Sequence, residues 1–363
     1  MRLALRLACR SLGRTSPNPA VGAVVVKGGR VIAQGYHRFA GSPHAEVEAL
    51  RRAGRRARGS TLYVTLEPCN HTGRTPPCCE AILASGVAHV VVGATDPNPI
   101  TNGRGIARLR RKGLRVMTGV LADESRRINE PFWKAMRTGL PFVIAKVGQS
   151  LDGKIATSGG RSRWITSAPA RRLGHRLRSR TDAVLVGVRT VLQDDPRLTV
   201  RGMRHRPERP LKVIVDSRLR TPANARCLSS GRTPTVIATT VPPRSVPRLL
   251  QRRGVEVLTL PAQRGRVPLR RLCRRLLVER GIQSILIEGG GEVLAGALAE
   301  RLVDRVVFFV APLLLGGRDA PGSVGGDGVH GLGRAIRLRD VTYSRIGPDL
   351  CVEGRVVYPR GGS

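Results

Sequence analysis

Aromatic side chains are scarce: Phe, Trp and Tyr together make up 3% of the 363 residues. A protein that holds single strands by stacking their bases needs more of them. Long apolar runs are missing too. The stretch 303–315 is interrupted by Asp304 and Arg305, and nothing approaches the ~18 apolar residues of a membrane-spanning helix. No membrane partner is expected. Acidic residues are few, 25 against 63 Lys and Arg, which leaves a formal net charge of +38. Lysine is nearly absent, with six in the chain, so the charge is arginine, scattered over the whole length. Nucleic-acid proteins gather such charge on one face, so no specific nucleic acid is expected. A diffuse excess fits a compositional bias equally well, and its field attracts small anions either way.

Cysteines number seven, an odd count spread through a long chain. That is no disulfide framework; it points to a reducing compartment, the cytoplasm, with thiols free for metal or catalysis. The start, MRLALRLACRSLGR, has arginine at every fourth position and lacks the apolar stretch of a secretory signal. An Arg-rich organelle transit segment stays open, and the first helix begins so early that the true start could lie upstream.

What is present is enough for real cores: 41% hydrophobic and 24% charged residues, in a chain long enough for two domains. Hydrophobic periodicity predicts helices over 2–12, 44–53, 78–84, 106–111 and one long helix over 123–136. Strands are expected over 21–26, 31–34, 61–65, 87–93 and 114–118, with a hairpin at Lys27-Gly28-Gly29-Arg30. Thr138-Gly139-Leu140-Pro141 marks a boundary, giving domains 1–139 and 140–363. The pattern then restarts with strands over 142–148, 183–187, 212–215, 235–239, 284–287 and 305–310. Helices are expected over 168–179, 268–280 and 292–300. A glycine-rich loop (316–333) and a closing hairpin (340–358) follow. Alternating strands and helices mean α/β architecture around mostly parallel sheets.

His44-Ala45-Glu46 opens a helix, Pro68-Cys69 follows a strand, and Cys78 begins the next helix. One imidazole and two thiolates are the three protein ligands of a catalytic zinc, with the fourth position open to water. Helix N-termini favour the thiolate form. Glu46 is placed to move a proton from that water to a leaving amine. His-x-Glu followed by Pro-Cys-x-x-Cys is the signature of zinc deaminases, although here eight residues separate the cysteines. A closed structural zinc site would need a fourth protein ligand, which His71 or Cys79 could supply. Adjacent cysteines rarely ligate one tetrahedral ion, so Cys79 reads as a packed thiol.

The long spacer is distinctive. Thr15-Ser16-Pro17-Asn18-Pro19-Ala20-Val21-Gly22, His44-Ala45-Glu46 and the run from Glu67-Pro68-Cys69-Asn70-His71 through Pro76-Pro77-Cys78 together resemble the bifunctional riboflavin-biosynthesis deaminase/reductases. The resemblance covers nearly the whole chain. It implies a cytidine-deaminase-like three-layer α/β/α domain followed by a dihydrofolate-reductase-like α/β domain. It implies that His44, Cys69 and Cys78 hold Zn2+, that Glu46 shuttles protons, and that Asn18, His71, Asp96 and Asn98 contact the substrate's ring and ribose. Turn chemistry beside proline is the plainer role for Asn18, Asp96 and Asn98.

In the second half, Ile285-Leu286-Ile287-Glu288-Gly289-Gly290-Gly291-Glu292-Val293 reads as strand, glycine turn and helix. Such a turn lets backbone N–H groups approach a pyrophosphate, though its spacing is not Gly-x-Gly-x-x-Gly and a plain strand–helix turn looks similar. Lys146–Ala156, Ser162–Thr166 and Asp194–Arg201 look like the reductase half of the same family, which uses NADPH. Carried over, Gly148, Trp164, Thr190, Asp194, Ser217 and the 290–296 segment (Gly290, Gly291, Glu292, Val293, Leu294, Ala295 and Gly296) meet the cofactor. Ser162, Arg178, Leu198, Arg201 and Glu288 meet the ribosyl phosphate. Arg178 and Arg201 suit a phosphate as guanidinium forks; solvated surface charge is the plainer reading. The family position of Gly148 often bears a slightly larger residue, and the glycine-rich 316–333 loop departs from the family's usual tail.

The resemblance thus implies small phosphorylated pyrimidine substrates, two activities and a homo-oligomer, dimer or tetramer. A zinc-dependent nucleic-acid base deaminase with an accessory α/β domain is the rival that the charge suggests. The eight-residue spacer and the second glycine-turn half count against it. A basic binding protein without turnover is the other rival.

Overall fold

The computed structural model describes residues 1–72, 76–202, 210–229, 233–247, 250 and 254–359. Gly73, Arg74 and Thr75 of the cysteine spacer lie outside the described residues. The chain divides into two compact units, Met1–Gly139 and Leu140–Ser363. No helix among the described residues is long and apolar enough to cross a membrane.

The first unit runs α1 (Arg2–Ala8), β1 (Gly22–Lys27), β2 (Arg30–Tyr36), α2 (Ala45–Ala53), β3 (Thr61–Leu66), α3 (Cys78–Ser85) and β4 (His89–Ala94). It continues through α4 (Arg104–Arg111), β5 (Arg115–Thr118), α5 (Ala122–Ile128) and α6 (Glu130–Thr138). Its sheet has the order β2-β1-β3-β4-β5. Gly28 and Gly29 take φ of 54° and 73° in the hairpin turn, the left-handed values a tight two-residue turn demands. Half of the pairings here are antiparallel, β1 with β2 and β1 with β3, so the expectation of a mostly parallel sheet holds only for β3-β4-β5. The tight hairpin forces the first of these, because only antiparallel neighbours can be joined by a two-residue turn; β3 then returns beside β1 after α2.

Alternation along β1 builds three layers. Ala23 and Val25 join a cluster with Ala45 and Ala49 of α2 and Ile82 of α3, while Val24 packs on Ala4 and Leu7 of α1. Each fully buried valine or leucine contributes about 1.5–3 kcal/mol. Two glycines let helices press on bare backbone. A Cβ at Gly22 would lie 2.0 Å from the Ala4 carbonyl oxygen, and one at Gly35 would lie 2.4 Å from that of Ala45.

The expected long helix over 123–136 is two helices. Asn129 breaks it: its Oδ1 accepts from the Ala20 N–H (2.7 Å) and its Nδ2 donates to the Ala20 carbonyl (2.9 Å). Pro131, without an N–H, then sits in the first turn of α6, where proline is tolerated.

The second unit runs β6 (Phe142–Ser150), α7 (Ala168–Arg178), β7 (Ala183–Gly187), α8 (Val188–Asp194), β8 (Leu211–Val215), α9 (Arg226–Ser229) and β9 (Thr235–Thr239). There follow β10 (Val255–Thr259), α10 (Leu269–Arg280), β11 (Ser284–Glu288), α11 (Gly291–Ala299), β12 (Val303–Ala311), β13 (Arg337–Ile346) and β14 (Asp349–Val357). The sheet order is β10-β9-β8-β7-β11-β6-β12-β14-β13. All neighbours are parallel as far as β12, and the closing hairpin adds two antiparallel strands at one edge. Helices cover both faces, so β7 is buried at every position. Ala183 and Leu185 face α10 and α11, while Val184 and Val186 face Ile214 and Ile237 on the other side. α8 and β10 were not expected from the sequence; Glu256 interrupts the apolar run of β10.

Candidate functional site

The fold delivers three sulfur and nitrogen donors to one place. β3 ends at Leu66 and hands the chain to Glu67-Pro68-Cys69. His44 caps α2 in an extended conformation (φ −68°, ψ 162°), and Cys78 is the first residue of α3. His44 Nδ1 lies 3.1 Å from Cys78 Sγ and 3.6 Å from Cys69 Sγ, and the Cys78 N–H donates to Cys69 Sγ at 3.3 Å. One ligand atom from each of these residues lies within 4.8 Å of the others, and no fourth His, Cys, Asp or Glu joins them among the described residues. Cys79 turns away, its thiol 3.7 Å from the carbonyls of Pro68 and Gly105. The donor set fits a divalent zinc held by three protein ligands.

The two ligand thiols are electrostatically unequal. A hydrogen bond from Cys78, against the cost of burial, holds the Cys69 thiol down to about 4. Cys78 is pushed up by that same hydrogen bond and by burial. His44 is raised, first by its hydrogen bond to Cys69. Glu46, in the first turn of α2 and 3% exposed, is pushed up to about 7 by burial, with the charge of His44 opposing.

Around this centre the structure gathers other expected residues. Asn18 Nδ2 lies 3.2 Å from His37 Nε2, and the His37 ring stands 5.2 Å from that of His44, edge to face. The sequence offered no signal for His37; only the return of β2 toward α2 places it there. Asp96 Oδ1 accepts from the Asn98 N–H (2.8 Å) and Asn98 Oδ1 from the Ile100 N–H (3.1 Å). The turn chemistry is therefore present and uses one oxygen of each. Burial pushes the Asp96 carboxyl up to about 6. The buried Nδ1 of His71 has no hydrogen-bond partner among the described residues. Glu67 was also missed: its carboxylate accepts four backbone N–H groups, from Asp96, Gly103, Gly105 and Ile106.

In the second unit the candidate residues meet at the carboxyl ends of β7 and β11, where parallel α/β sheets bind ligands. Gly289 and Gly290 carry φ of 77° and 83°, and a Cβ on either would come within 3.4–3.5 Å of Thr190 Oγ1. A Cβ at Gly187 would meet Val293 Cγ2 at 2.7 Å, and one at Gly148 would meet Thr166 Cγ2 at 3.0 Å. The left-handed Gly289-Gly290 turn into the start of the next helix is the part that suits a dinucleotide pyrophosphate, while the bare faces of Gly187 and Gly148 are taken by Val293 and Thr166. Leu294 points into the core, its N–H donates to the Gly290 carbonyl (3.1 Å), and Gly296 faces Leu269, so these two positions are turned to the protein interior. Gly325 N–H donates to Gly291 O (3.1 Å), Gly326 N–H to Glu292 Oε1 (3.2 Å), and Ala295 packs against Gly326. The glycine-rich loop thus rests on the start of α11. Ser162 donates to Asp194, the Ser217 hydroxyl accepts from the Val267 N–H, and the exposed Trp164 ring lies 4.3 Å from the Arg171 guanidinium.

The expected phosphate forks differ from one another. Arg178 is committed within the protein: Nε and Nη2 hold Glu288 at 2.6 and 2.7 Å, and Nη1 donates to the Thr199 carbonyl at 3.0 Å. Arg201 has an exposed guanidinium, and its N–H donates to His175 Nδ1 at 3.3 Å. Leu198 is 2% exposed with φ 51°, so it can meet a ligand through its backbone only. Lys146, quoted in a motif but not singled out, lies beside this pair; burial lowers its pKa and the Glu288 charge opposes that.

Comparison with known proteins agrees with both halves. Residues 1–94 match the cytidine and deoxycytidylate deaminase zinc-binding region, and residues 141–352 match the RibD C-terminal domain. The chain is 42% identical over 352 residues to the riboflavin biosynthesis protein RibD of Aquifex aeolicus, covering 97% of this chain and 96% of that one. A solved structure of Acinetobacter baumannii RibD superposes with a TM-score of 0.89 at 38% identity, covering 98% and 97% of the two chains. The diaminohydroxyphosphoribosylaminopyrimidine deaminase/5-amino-6-(5-phosphoribosylamino)uracil reductase of Thermotoga maritima does so with a TM-score of 0.85 at 37% identity, covering 98% and 97%. The chain therefore belongs to the RibD family, bifunctional enzymes of riboflavin biosynthesis that join a zinc-dependent, cytidine-deaminase-like domain to a dihydrofolate-reductase-like reductase domain.

Proposed function

We propose that residues 1–139 deaminate 2,5-diamino-6-(5-phosphoribosylamino)pyrimidin-4(3H)-one and that residues 140–363 reduce the resulting 5-amino-6-(5-phosphoribosylamino)uracil. The observation that carries the reading is the convergence of His44, Cys69 and Cys78 beside a buried carboxyl at Glu46. In this reading those three residues hold zinc, which when bound acidifies the attacking water. Glu46 carries the two protons of that water in turn, one to the ring nitrogen doubly bonded to C2 and one to the departing amino group, so the exocyclic C–N bond at the pyrimidine C2 is exchanged for C=O and ammonia leaves. Its pKa near 7 suits a group that accepts and donates in one cycle. Asn18, His71, Asp96 and Asn98 hold the ring and ribose.

In the second unit NADPH, when bound, would supply a hydride to C1′ of the ribosyl group, where the C1′–O4′ ring bond opens and O4′ takes up a proton, leaving the ribityl chain and NADP+. The Gly290–Val293 turn, Thr190, Gly148, Trp164, Asp194 and Ser217 hold the cofactor. Arg201 takes the phosphate, Ser162 and the Leu198 backbone orient the sugar, and the Arg178–Glu288 pair lies under it. The protein's main contribution there is alignment. All seven cysteines are free, which supports a cytoplasmic setting. The exposed outer strand β13, with Leu338 and Tyr343 uncovered, supports pairing into a homo-oligomer.

The test is a coupled assay on the zinc-loaded chain with the diaminopyrimidinone phosphate and NADPH. Ammonia should appear first, and NADPH should be consumed only once the deaminated product is present. Deamination of single-stranded DNA or tRNA at a comparable rate would replace this reading with the nucleic-acid one.

A further inference from the structure

The side chain of Glu67 is 3% exposed and lies two residues before the ligand Cys69. It meets no metal donor. Its Oε2 accepts from the N–H groups of Asp96 (3.1 Å) and Gly103 (2.9 Å), and its Oε1 from those of Gly105 (3.0 Å) and Ile106 (3.2 Å). Asp96 and Gly103 are the two ends of one loop, which carries Asp96 and Asn98; Gly105 and Ile106 open α4. One carboxylate therefore closes the loop and caps the helix behind it. The backbone repeats the tie on either side. The Glu67 N–H donates to the Ala94 carbonyl (2.9 Å), and Gly105 lies so close to the chain after Glu67 that a Cβ there would sit 2.0 Å from the Pro68 oxygen. Hydrogen bonds from backbone N–H to a buried carboxylate are among the strong ones, and four on a single group leave the loop little freedom.

We infer that Glu67 is a positioning residue for the deamination: it fixes the reach from Cys69 to the Asp96–Asn98 loop and so sets where the pyrimidine lies relative to the metal ligands. This rests on the reading of Asp96 as a ring contact. The chemistry of the inference is geometric. Both oxygens of Glu67 are spent on backbone N–H groups; it holds the residue that recognises the ring at a fixed distance from the residues that activate the water.

Glu67→Gln keeps the size but turns one oxygen into an NH2 that faces N–H donors. The expected result is a KM for the diaminopyrimidinone phosphate raised about tenfold or more, on the scale by which small misplacements affect catalysis. The fall in kcat should be smaller, zinc should remain at one per chain by mass spectrometry, and reductase turnover of the same polypeptide should be unchanged. Asp96→Asn and the double variant complete the cycle. If Glu67 acts through Asp96, the double variant is no worse than the poorer single one. An unchanged KM for Glu67→Gln, a loss confined to kcat, or additive effects would overturn the inference. If Asp96→Asn leaves KM unchanged, the ring-contact reading fails first and this one with it. Should Glu67→Gln lose zinc or fail to fold, Gly103→Ala decides. It strains one donor at φ 81° and leaves the carboxylate intact. KM must rise with zinc retained, and an unchanged KM overturns the inference.

Discussion

Glu46 and His44 share one turn of α2, and for that reason their relation could be read from spacing alone: two positions on a helix start have fixed geometry. Cys78 was legible because it opens α3, and Cys69 because Pro68-Cys69 follows directly on the end of β3. His37 and Glu67 were not, because their partners are backbone groups and rings brought in by other elements. Glu46→Gln is expected to lower ammonia release by about 10²–10⁴-fold, the range for a general acid–base group, with zinc content unchanged; full activity would remove Glu46 from the mechanism. A second residue carries a pH signature. Burial, then the charges of Arg178 and Arg201, push His175 down to about 4, Glu288 opposing. Its Nδ1 must be unprotonated to accept from Arg201. The folded value lies below the unfolded 6.5, so the unfolded chain binds the proton first as pH falls. This stability is fully present above pH 6.5 and is lost as pH falls toward about 4. Thermal unfolding of His175→Gln between pH 7 and 4.5 should show a shallower fall than the parent chain; parallel curves would contradict it.

At the scale of elements, strands buried on both faces declared themselves as apolar runs, and β7 and β9 fall where periodicity put them. The misreadings have local causes. The segment 123–136 reads as one helix across Asn129, although Pro131 marks a break; the docking of Asn129 onto Ala20 and the proline in the first turn of α6 together show why the first helix stops. Asn129 is 5% exposed, so Asn129→Ala leaves a buried N–H and C=O of Ala20 without those partners. The expected cost is about 1–3 kcal/mol per stranded group, read as a lower denaturant midpoint for the first unit. A midpoint within error of the parent would mean that water replaces the side chain fully. β10 hid behind Glu256, and α8 is only seven residues long, too short for a periodic signal.

Over the whole molecule, each sheet is built entirely from its own unit: five strands from the first, nine from the second. Among the described residues no strand crosses between them. Chelation of the metal should therefore abolish ammonia release while NADPH oxidation on supplied aminouracil phosphate continues at its former rate. Loss of both activities together would show that the reductase depends on the metal-bound state of the first unit. A left-handed glycine, Gly139 (φ 64°), ends α6 where the first compact unit ends, and Pro141 follows. The charge was legible as a number but not as a purpose: with 25 acidic residues against 63 Lys and Arg, ion pairs such as those around Glu48 occupy only a part of the arginines.

The bare backbone at Gly35 has a mechanical meaning. α2 rests on it with no side chain between, so one methyl group there would act as a wedge under the base of that helix. The imidazole donor and the acid would be lifted as one piece, their mutual spacing kept, while both thiols stayed where β3 and α3 anchor them. The aperture of the metal centre is thus gauged by an absent methyl on a strand that contributes nothing to the chemistry.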